Sequence, residues 1–208
     1  MKKIIIVGNG AKNSYDFLTK LCDGSELIIG VDGGAETLIN YKIPFQVAIG
    51  DFDSISNRDL IRNIRSIEYP RQKDYSDTEL ALKYAVELKP NEIVLTDMLG
   101  GRTDHLLFNI SLLAKCLRLG VSCSISEQSE DIYFTNGHFK MQVPRNATIS
   151  IVPITQKSRV VFTRGFKYNI AHKTLVYGNT LTLSNISVSN TIEVSLARGI
   201  VGIFINKL

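Results

Sequence analysis

The sequence predicts an α/β domain followed by an all-β one, and two observations carry that expectation. Up to about residue 127, apolar runs of four or five residues alternate with segments of helical spacing. From Asp131 onward the helical spacing disappears, and short β-branched and aromatic runs follow one another between turn signals. The first pattern builds βαβ units, and so a mostly parallel sheet with helices on both faces. The second builds an antiparallel, sandwich-like unit. The expected domains are 1–127 and 128–208.

In the first domain, near-continuous apolar runs at 4–7, 27–31 and 46–49 read as buried strands, joined by weaker runs at 66–69, 92–96 and 121–125. Helices are expected at 15–22, 35–41, 58–64, 78–88 and 104–119. The last carries an apolar stripe, Leu106, Leu107, Ile110, Leu113, Ala114 and Leu117, at the spacing of one helix face. In the second domain, strands are expected at 131–135, 139–143, 148–151, 159–162, 174–177, 181–183, 192–196 and 201–205. Asn136-Gly137 fits a two-residue hairpin turn, with further tight turns at Gly178-Asn179 and Arg198-Gly199.

Composition narrows the classes of function. With 208 residues, 44% of them hydrophobic and 21% charged, the chain can bury a sizeable core. No window approaches the 18 consecutive apolar residues of a membrane span. The opening run ends at Gly8-Asn9-Gly10, too soon for a signal-peptide core. Three cysteines without C-x-x-C spacing read as free thiols in a reducing compartment, so a cytoplasmic location is expected. The formal charge of +4 suits anionic small molecules, and there is no basic arm of the kind that binds nucleic acid.

The chemistry gathers in loops that follow strands. Asp51 and Asp53, after the 46–49 run, sit two residues apart, so in extended backbone they face one site. Two carboxylates about 4 Å apart repel by roughly 1–4 kcal/mol, which calls for a hard divalent cation with oxygen ligands. A second loop, Lys73-Asp74-Tyr75-Ser76-Asp77, precedes a helix, and a third, Gly100-Gly101-Arg102-Thr103-Asp104-His105, precedes another. Asp32-Gly33-Gly34 makes a fourth. A parallel sheet brings all four to the carboxyl edge of its strands, where open α/β sheets bind ligands. Ser76 and Glu79 also form a capping box, and His105 reads as a packed or orienting residue. Carboxylates for a metal, Arg102 and Lys73 for phosphate oxygens and glycines for close backbone approach are what phosphoryl transfer needs. The chain has no G-x-x-x-x-G-K-[ST] motif, and Gly8-Asn9-Gly10 lacks the third glycine of a dinucleotide fingerprint.

Asp32-Gly33-Gly34-Ala35, Gly50-Asp51-Phe52-Asp53-Ser54, Lys73-Asp74-Tyr75-Ser76-Asp77 and Leu99-Gly100-Gly101-Arg102-Thr103-Asp104-His105 resemble, in order and spacing, the successive motifs of the thiamine pyrophosphokinase family. Gly165-Phe166-Lys167-Tyr168, Gly178 and Ser184-Asn185 resemble its thiamine-side segment, so the likeness covers nearly the whole chain.

The resemblance implies an α/β ATP/Mg-binding catalytic domain and a β-sandwich that binds thiamine and forms a homodimer, with active sites between subunits. It implies diphosphate transfer from ATP to the hydroxyl of thiamine, giving thiamine diphosphate and AMP. Carried over residue by residue, it gives Asp51, Asp53 and Asp77 to Mg2+, and Asp74, Arg102 and Asp104 to the phosphates and the reacting hydroxyl. Asp32, Gly33, Gly34, Lys73, Ser76, Gly100 and Gly101 fall to the nucleotide, and Tyr168, Ser184 and Asn185 to thiamine. Asp74 and Asp104 are the candidate proton acceptors.

Three departures stand out. Ser76 takes the place of the usual threonine, Tyr168 that of a common tryptophan, and Asp97-Met98 that of small residues. Asp97 thus brings an extra carboxylate to the site without an evident role. The residues also leave open a pyrophosphokinase for another heterocyclic alcohol such as a hydroxymethylpterin, a metal-dependent phosphate-ester hydrolase, and a non-catalytic nucleotide-binding module.

Overall fold

A computed structural model describes residues 2–51, 64–70, 72 and 74–207. They fall into two compact units, Met1–Gln128 and Ser129–Leu208.

In the first unit, strands β1 (Lys3–Val7), β2 (Leu27–Val31), β3 (Val47–Gly50), β4 (Arg65–Glu68), β5 (Glu92–Thr96) and β6 (Cys123–Ser126) lie in the order β6-β5-β1-β2-β3-β4. Every pairing among them is parallel. Helices α1 (Tyr15–Cys22), α2 (Gly33–Asn40), α3 (Asp77–Glu87) and α4 (Thr103–Arg118) follow β1, β2, β4 and β5 in turn. Central strands of a parallel sheet are covered on both faces, and Ile4, Ile5, Ile6 and Val7 are accordingly all sealed from solvent. β4, at the end of the strand order, carries Arg65 and Glu68, and such charges blunt an exposed sheet edge. Ser14 caps α1, its Oγ accepting from the Phe17 N–H, and Asp16 and Lys20 complement the helix dipole at either end.

The second unit holds β7 (Glu130–Thr135), β8 (His138–Gln142), β9 (Thr148–Pro153), β10 (Lys157–Arg164), β11 (Ala171–Val176), β12 (Asn185–Ile186), β13 (Thr191–Arg198) and β14 (Val201–Asn206). They form two antiparallel layers, β12-β9-β14-β7 and β11-β10-β13-β8. Side chains alternate along β13, burying Ile192, Val194 and Leu196. These meet Ile149, Ile151, Ile203 and Ile205 of the other layer in one core, with Phe166 among them.

Four expectations from the sequence are corrected or left aside. The Asp32-Gly33-Gly34 segment is not a free loop. Asp32 is the N-cap residue, and the two glycines form the first turn of α2, two residues earlier than the apolar spacing indicates. Gly34 is dictated by space, because a Cβ there would lie 2.1 Å from the Val7 carbonyl oxygen. Asn136-Gly137 is not a hairpin turn: β7 pairs with β14 and β8 with β13, so the chain crosses between layers there. Neither residue takes the positive φ that a type I′ turn requires. The run 181–183 is a turn rather than a strand, closed by the Leu183 N–H on the Thr180 carbonyl and ending at Ser184 with φ 53°. The helix expected at 58–64 lies, but for its last residue, outside the described residues.

Phe166 is 1% exposed in a core built by both layers. Phe166→Ala should destabilise the second unit by about 3–5 kcal/mol, seen as a lower urea midpoint. An unchanged midpoint would contradict this packing.

Candidate active site

The strand order sets the location of the site. From β1 the chain adds β2, β3 and β4 on one side, then returns to place β5 and β6 on the other. The direction of winding reverses between β1 and β5, and ligand crevices in open α/β sheets form at such a reversal. The loops leaving these two strands run side by side. Gly8 N–H donates to the Thr96 carbonyl at 2.8 Å, Gly10 N–H to that of Asp97 at 2.7 Å, and Ala11 N–H to that of Leu99 at 2.6 Å. Side chains at Gly8 or Gly10 would prevent this: a Cβ would lie 2.7 Å from Met98 Sδ in the first case and 2.4 Å from the Leu99 oxygen in the second. Gly8-Asn9-Gly10 therefore owes its glycines to the approach of a neighbouring loop.

Over this junction opens a cavity of about 470 Å³. Its walls come from Asn9 and Gly10, from Asp32, from Ser76 and Asp77 at the start of α3, and from the Gly100-Gly101-Arg102 segment. A second cavity of about 530 Å³ lies between α1 and the 42–44 turn, near the amino end of β2. Its charged lining, Asp16, Asp23, Lys20 and Lys42, includes none of the loop motifs.

Several of the residues picked out from the sequence come together here. The Asp32 side chain lies across Gly50, where a Cβ would stand 1.8 Å from Asp32 Oδ1, so Gly50 is glycine to admit that carboxylate. Asp51 follows directly and is half-buried, outside the cavity wall. Asp77 is half-buried at the start of α3, and Ser76 caps that helix, its Oγ accepting from the Glu79 N–H at 3.2 Å. The capping box is only half made, because the Glu79 carboxylate pairs with Lys115 of α4. Gly100 and Gly101 take φ of 82° and 68°, and the space beside Gly101 is open.

Arg102 and Asp104 are both exposed and form a bidentate pair, with Nε to Oδ1 at 3.2 Å and Nη2 to Oδ2 at 2.6 Å. The guanidinium hydrogen bonds hold the Asp104 carboxyl below its usual range. Asp74 is exposed and is not part of the cavity wall. Asp53 and Lys73 lie outside the described residues.

Three residues of this junction were not marked by any sequence motif: Asn13, Asn109 and Glu127. Asn13, 7% exposed, donates through Nδ2 to Asp97 Oδ1 at 2.6 Å and also to Glu127, while its backbone N–H reaches Asp97 Oδ1 at 2.9 Å. Glu127, at the end of β6, accepts the Asp97 N–H at 3.0 Å on one oxygen and the Met98 N–H at 2.8 Å on the other. Asn109 of α4 donates to the Met98 carbonyl at 2.9 Å. Asp97 is fully buried at φ 53°, a conformation that costs on the order of 1 kcal/mol for a non-glycine residue. Its Oδ2 has no hydrogen-bond partner among the described residues. Burial raises the Asp97 carboxyl, partly opposed by the Asn13 bonds. Burial likewise raises Glu127, with a smaller push from the Asp97 charge.

In the second unit, Tyr168 is 66% exposed, and its backbone is clipped by Asn185. Asn185 Oδ1 accepts the Tyr168 N–H at 3.2 Å, and Nδ2 donates to the Tyr168 carbonyl at 2.8 Å. Asn185 is buried, so its amide shapes the Tyr168 segment instead of reaching out. Ser184 is exposed, with its N–H on Ser150 Oγ at 2.9 Å. Beyond it, Tyr177, Gly178 and Leu183 border a cavity of about 310 Å³.

Residues 18–125 match the model of the thiamin pyrophosphokinase catalytic domain, and residues 138–201 that of the thiamin pyrophosphokinase vitamin B1 binding domain. Thiamine pyrophosphokinase of Bacillus subtilis is 34% identical over 206 residues, covering 96% of both chains. The chain belongs to the thiamine pyrophosphokinase family.

Membership makes it an enzyme of that class. A crystal structure of the Bacillus subtilis thiamine pyrophosphokinase superposes with a TM-score of 0.91 at 29% identity, covering 100% of both chains. That of the Geobacillus thermodenitrificans thiamin pyrophosphokinase gives 0.86 at 26% identity, covering 99% of this chain and 98% of the other. The matched catalytic segment includes Asp32, Asp77 and Gly100-Gly101-Arg102 of the cavity, so the family likeness and the geometry meet in one place.

The buried Asp97 gives this family member a pH signature. Its folded carboxyl titrates above the ordinary 3.8, so its contribution to stability is full below about pH 4 and is lost as pH rises through the folded value. Asparagine has no proton to lose. The stability of Asp97→Asn relative to wild type should therefore improve between about pH 4 and about pH 8, as measured by urea unfolding. A difference that stays constant or worsens would contradict the raised carboxyl.

Proposed function

We propose that the protein transfers a diphosphate from ATP to the hydroxyl of thiamine, with Mg2+, giving thiamine diphosphate and AMP. The observation that carries this reading is the cavity at the β1/β5 reversal, where Asp32, Asp77 and the Gly100-Gly101-Arg102 backbone converge in a chain of this family. The first unit is then the nucleotide side and the second the thiamine side.

The donor set fits a hard cation. Asp51, directly after β3, and Asp77, at the start of α3, offer carboxylate oxygens, and Asp53 completes the set in sequence. Among the described residues no three such side chains gather, and Asp53 lies outside them. Asp51, Asp53 and Asp77 would hold Mg2+, which when bound offsets charge on the polyphosphate.

The chain's own groups do the positioning. The thiamine oxygen bonds to the β-phosphorus of ATP as the bond to the α,β-bridging oxygen breaks, and AMP carries that oxygen away. Gly100 and Gly101 bring backbone N–H groups near phosphate oxygens, with Asp32, Gly33, Gly34, Lys73 and Ser76 completing the nucleotide side. Arg102 offers them its planar fork. Turning that fork to phosphate frees Asp104 from its present partner, and Asp104 or Asp74 takes the hydroxyl proton. Tyr168, exposed on the frame that Asn185 clips, presents an aromatic face to the thiamine rings, with Ser184 beside Asn185 in the chain.

AMP release should require ATP, Mg2+ and thiamine together. Asp53→Asn or Asp77→Asn should lower turnover by about 100-fold in folded protein, equivalent to about 2.7 kcal/mol of barrier. Near wild-type kcat in both variants at saturating Mg2+ would overturn the metal assignment. Release without an acceptor would mean a hydrolase, release with a hydroxymethylpterin but not thiamine another acceptor, and nucleotide binding without release a binding module.

Cytoplasmic placement is supported by Cys22, Cys116 and Cys123, which are all free thiols, burial pushing Cys22 up to about 11. No helix among the described residues is long and apolar enough to cross a membrane. A homodimer is supported by large apolar side chains left in solvent, Leu107 and Phe108 on α4 and Tyr177, Leu181 and Leu183 in the second unit. Sedimentation should give twice the chain mass, and a fully active monomer would defeat the dimer.

A further inference from the structure

Resting on that reading, we propose that Glu127 is a positioning residue for nucleotide binding: its buried carboxylate, gripping the Asp97 and Met98 N–H groups, fixes the turn that presents Gly100-Gly101-Arg102 to the phosphates.

The turn needs a holder. Three of the five residues 97–101 have positive φ, namely Asp97 at 53°, Gly100 at 82° and Gly101 at 68°. Only two are glycines, and Asp97 adopts that conformation against its own preference. The two N–H groups of this turn would be buried donors without partners if Glu127 were removed, since each is met by one of its oxygens, at 3.0 and 2.8 Å. Asn13 holds the Asp97 carboxylate, and the other bonds to the turn's backbone are made to carbonyls. Gly10 holds the Asp97 oxygen, Ala11 that of Leu99, and Asn109 that of Met98. Glu127 is thus the side chain that fixes the N–H side of the peptide planes just ahead of Gly100.

Glu127 is itself fixed. It is 5% exposed, and Asn13 Nδ2 donates to it. Asn13 Oδ1 in turn accepts the Gln128 N–H at 2.7 Å, tying the segment after β6 to the loop after β1. The same amide reaches Asp97 Oδ1, so one asparagine joins the ends of β1, β5 and β6. Glu127 does not line the cavity, so its influence on a nucleotide passes through the turn. The effect is confined to the nucleotide side, because nothing in this cluster belongs to the unit that carries Tyr168.

Glu127→Gln keeps the side chain's length but sets an NH2 group against a buried donor, since Oε1 accepts the Met98 N–H and Oε2 accepts from the Asp97 N–H and Asn13 Nδ2. With Mg2+, the affinity for α,β-methylene-ATP by calorimetry should fall about tenfold. The KM for ATP should rise in the same proportion, and the KM for thiamine should stay within twofold. Hydrogen exchange should quicken at residues 97–101 and be unchanged in the first turn of α3. Equal rises in both KM values, or unaltered nucleotide affinity in the folded variant, would overturn the proposal.

If Glu127→Gln does not fold, exchange in the wild-type protein decides. The Asp97 and Met98 amides should be protected like those of strand β5, and exchange at open-loop rates would overturn the assignment. Should the wild type bind the analogue yet release no AMP with thiamine, the catalytic reading fails while binding and exchange still judge Glu127.

Discussion

The site depends on two loops lying close enough to share backbone hydrogen bonds. Where the sheet reverses its winding, the segments after β1 and β5 are joined from Gly8 to Ala11 by three N–H to carbonyl bonds. That closeness demands glycine at Gly8 and Gly10 and buries everything beneath it. Polar groups trapped there must find partners or cost about 1–3 kcal/mol each. Asn13, Asp97 and Glu127 are the answer at this junction, a small polar core in a region otherwise packed with isoleucine and valine. The cavity therefore sits over a hydrogen-bonded junction at the sheet edge.

The two units solve different problems. The first builds a carboxyl edge where several loop ends converge on one volume, and charge is concentrated there. The second buries a hydrophobic core between two layers and carries exposed aromatic and aliphatic side chains on the segments after β10 and β11. The proposed transfer of a diphosphate from a polyanion to an organic cation has use for both surfaces.

Strand and helix identities were legible wherever one period dominated. The runs at 27–31 and 92–96 and the helix at 15–22 match the observed elements residue for residue. The acidic and glycine motifs were legible as motifs, because each lies within one short stretch of the chain. What escaped was set by distant partners. Asn13, Asp97 and Glu127 are far apart in the chain, and only the strand order makes them neighbours. Gly33 and Gly34 read as loop because glycine is a poor helix former, yet Val7 leaves room for nothing larger at Gly34. Asn136-Gly137 has the composition of a hairpin, but its flanking strands find better partners in opposite layers. Asn185 is expected from the sequence to lie near thiamine, and its buried side chain is occupied by the Tyr168 backbone.

The crossing at Asn136-Gly137 and its counterpart at Arg198-Gly199 also govern how the second unit can fold. β7 and β14, the first and last strands of the unit, are direct neighbours, and β14 separates β7 from β9. One layer therefore cannot close until residues 201–206 have been made, however early 130–135 emerge. Closing so long a loop is entropically expensive before any contact rewards it, which places this unit among slowly assembling topologies. During that interval β7 exposes an unpaired edge bearing Ile132, Tyr133 and Phe134, so the step most open to misassociation precedes the arrival of the last strand.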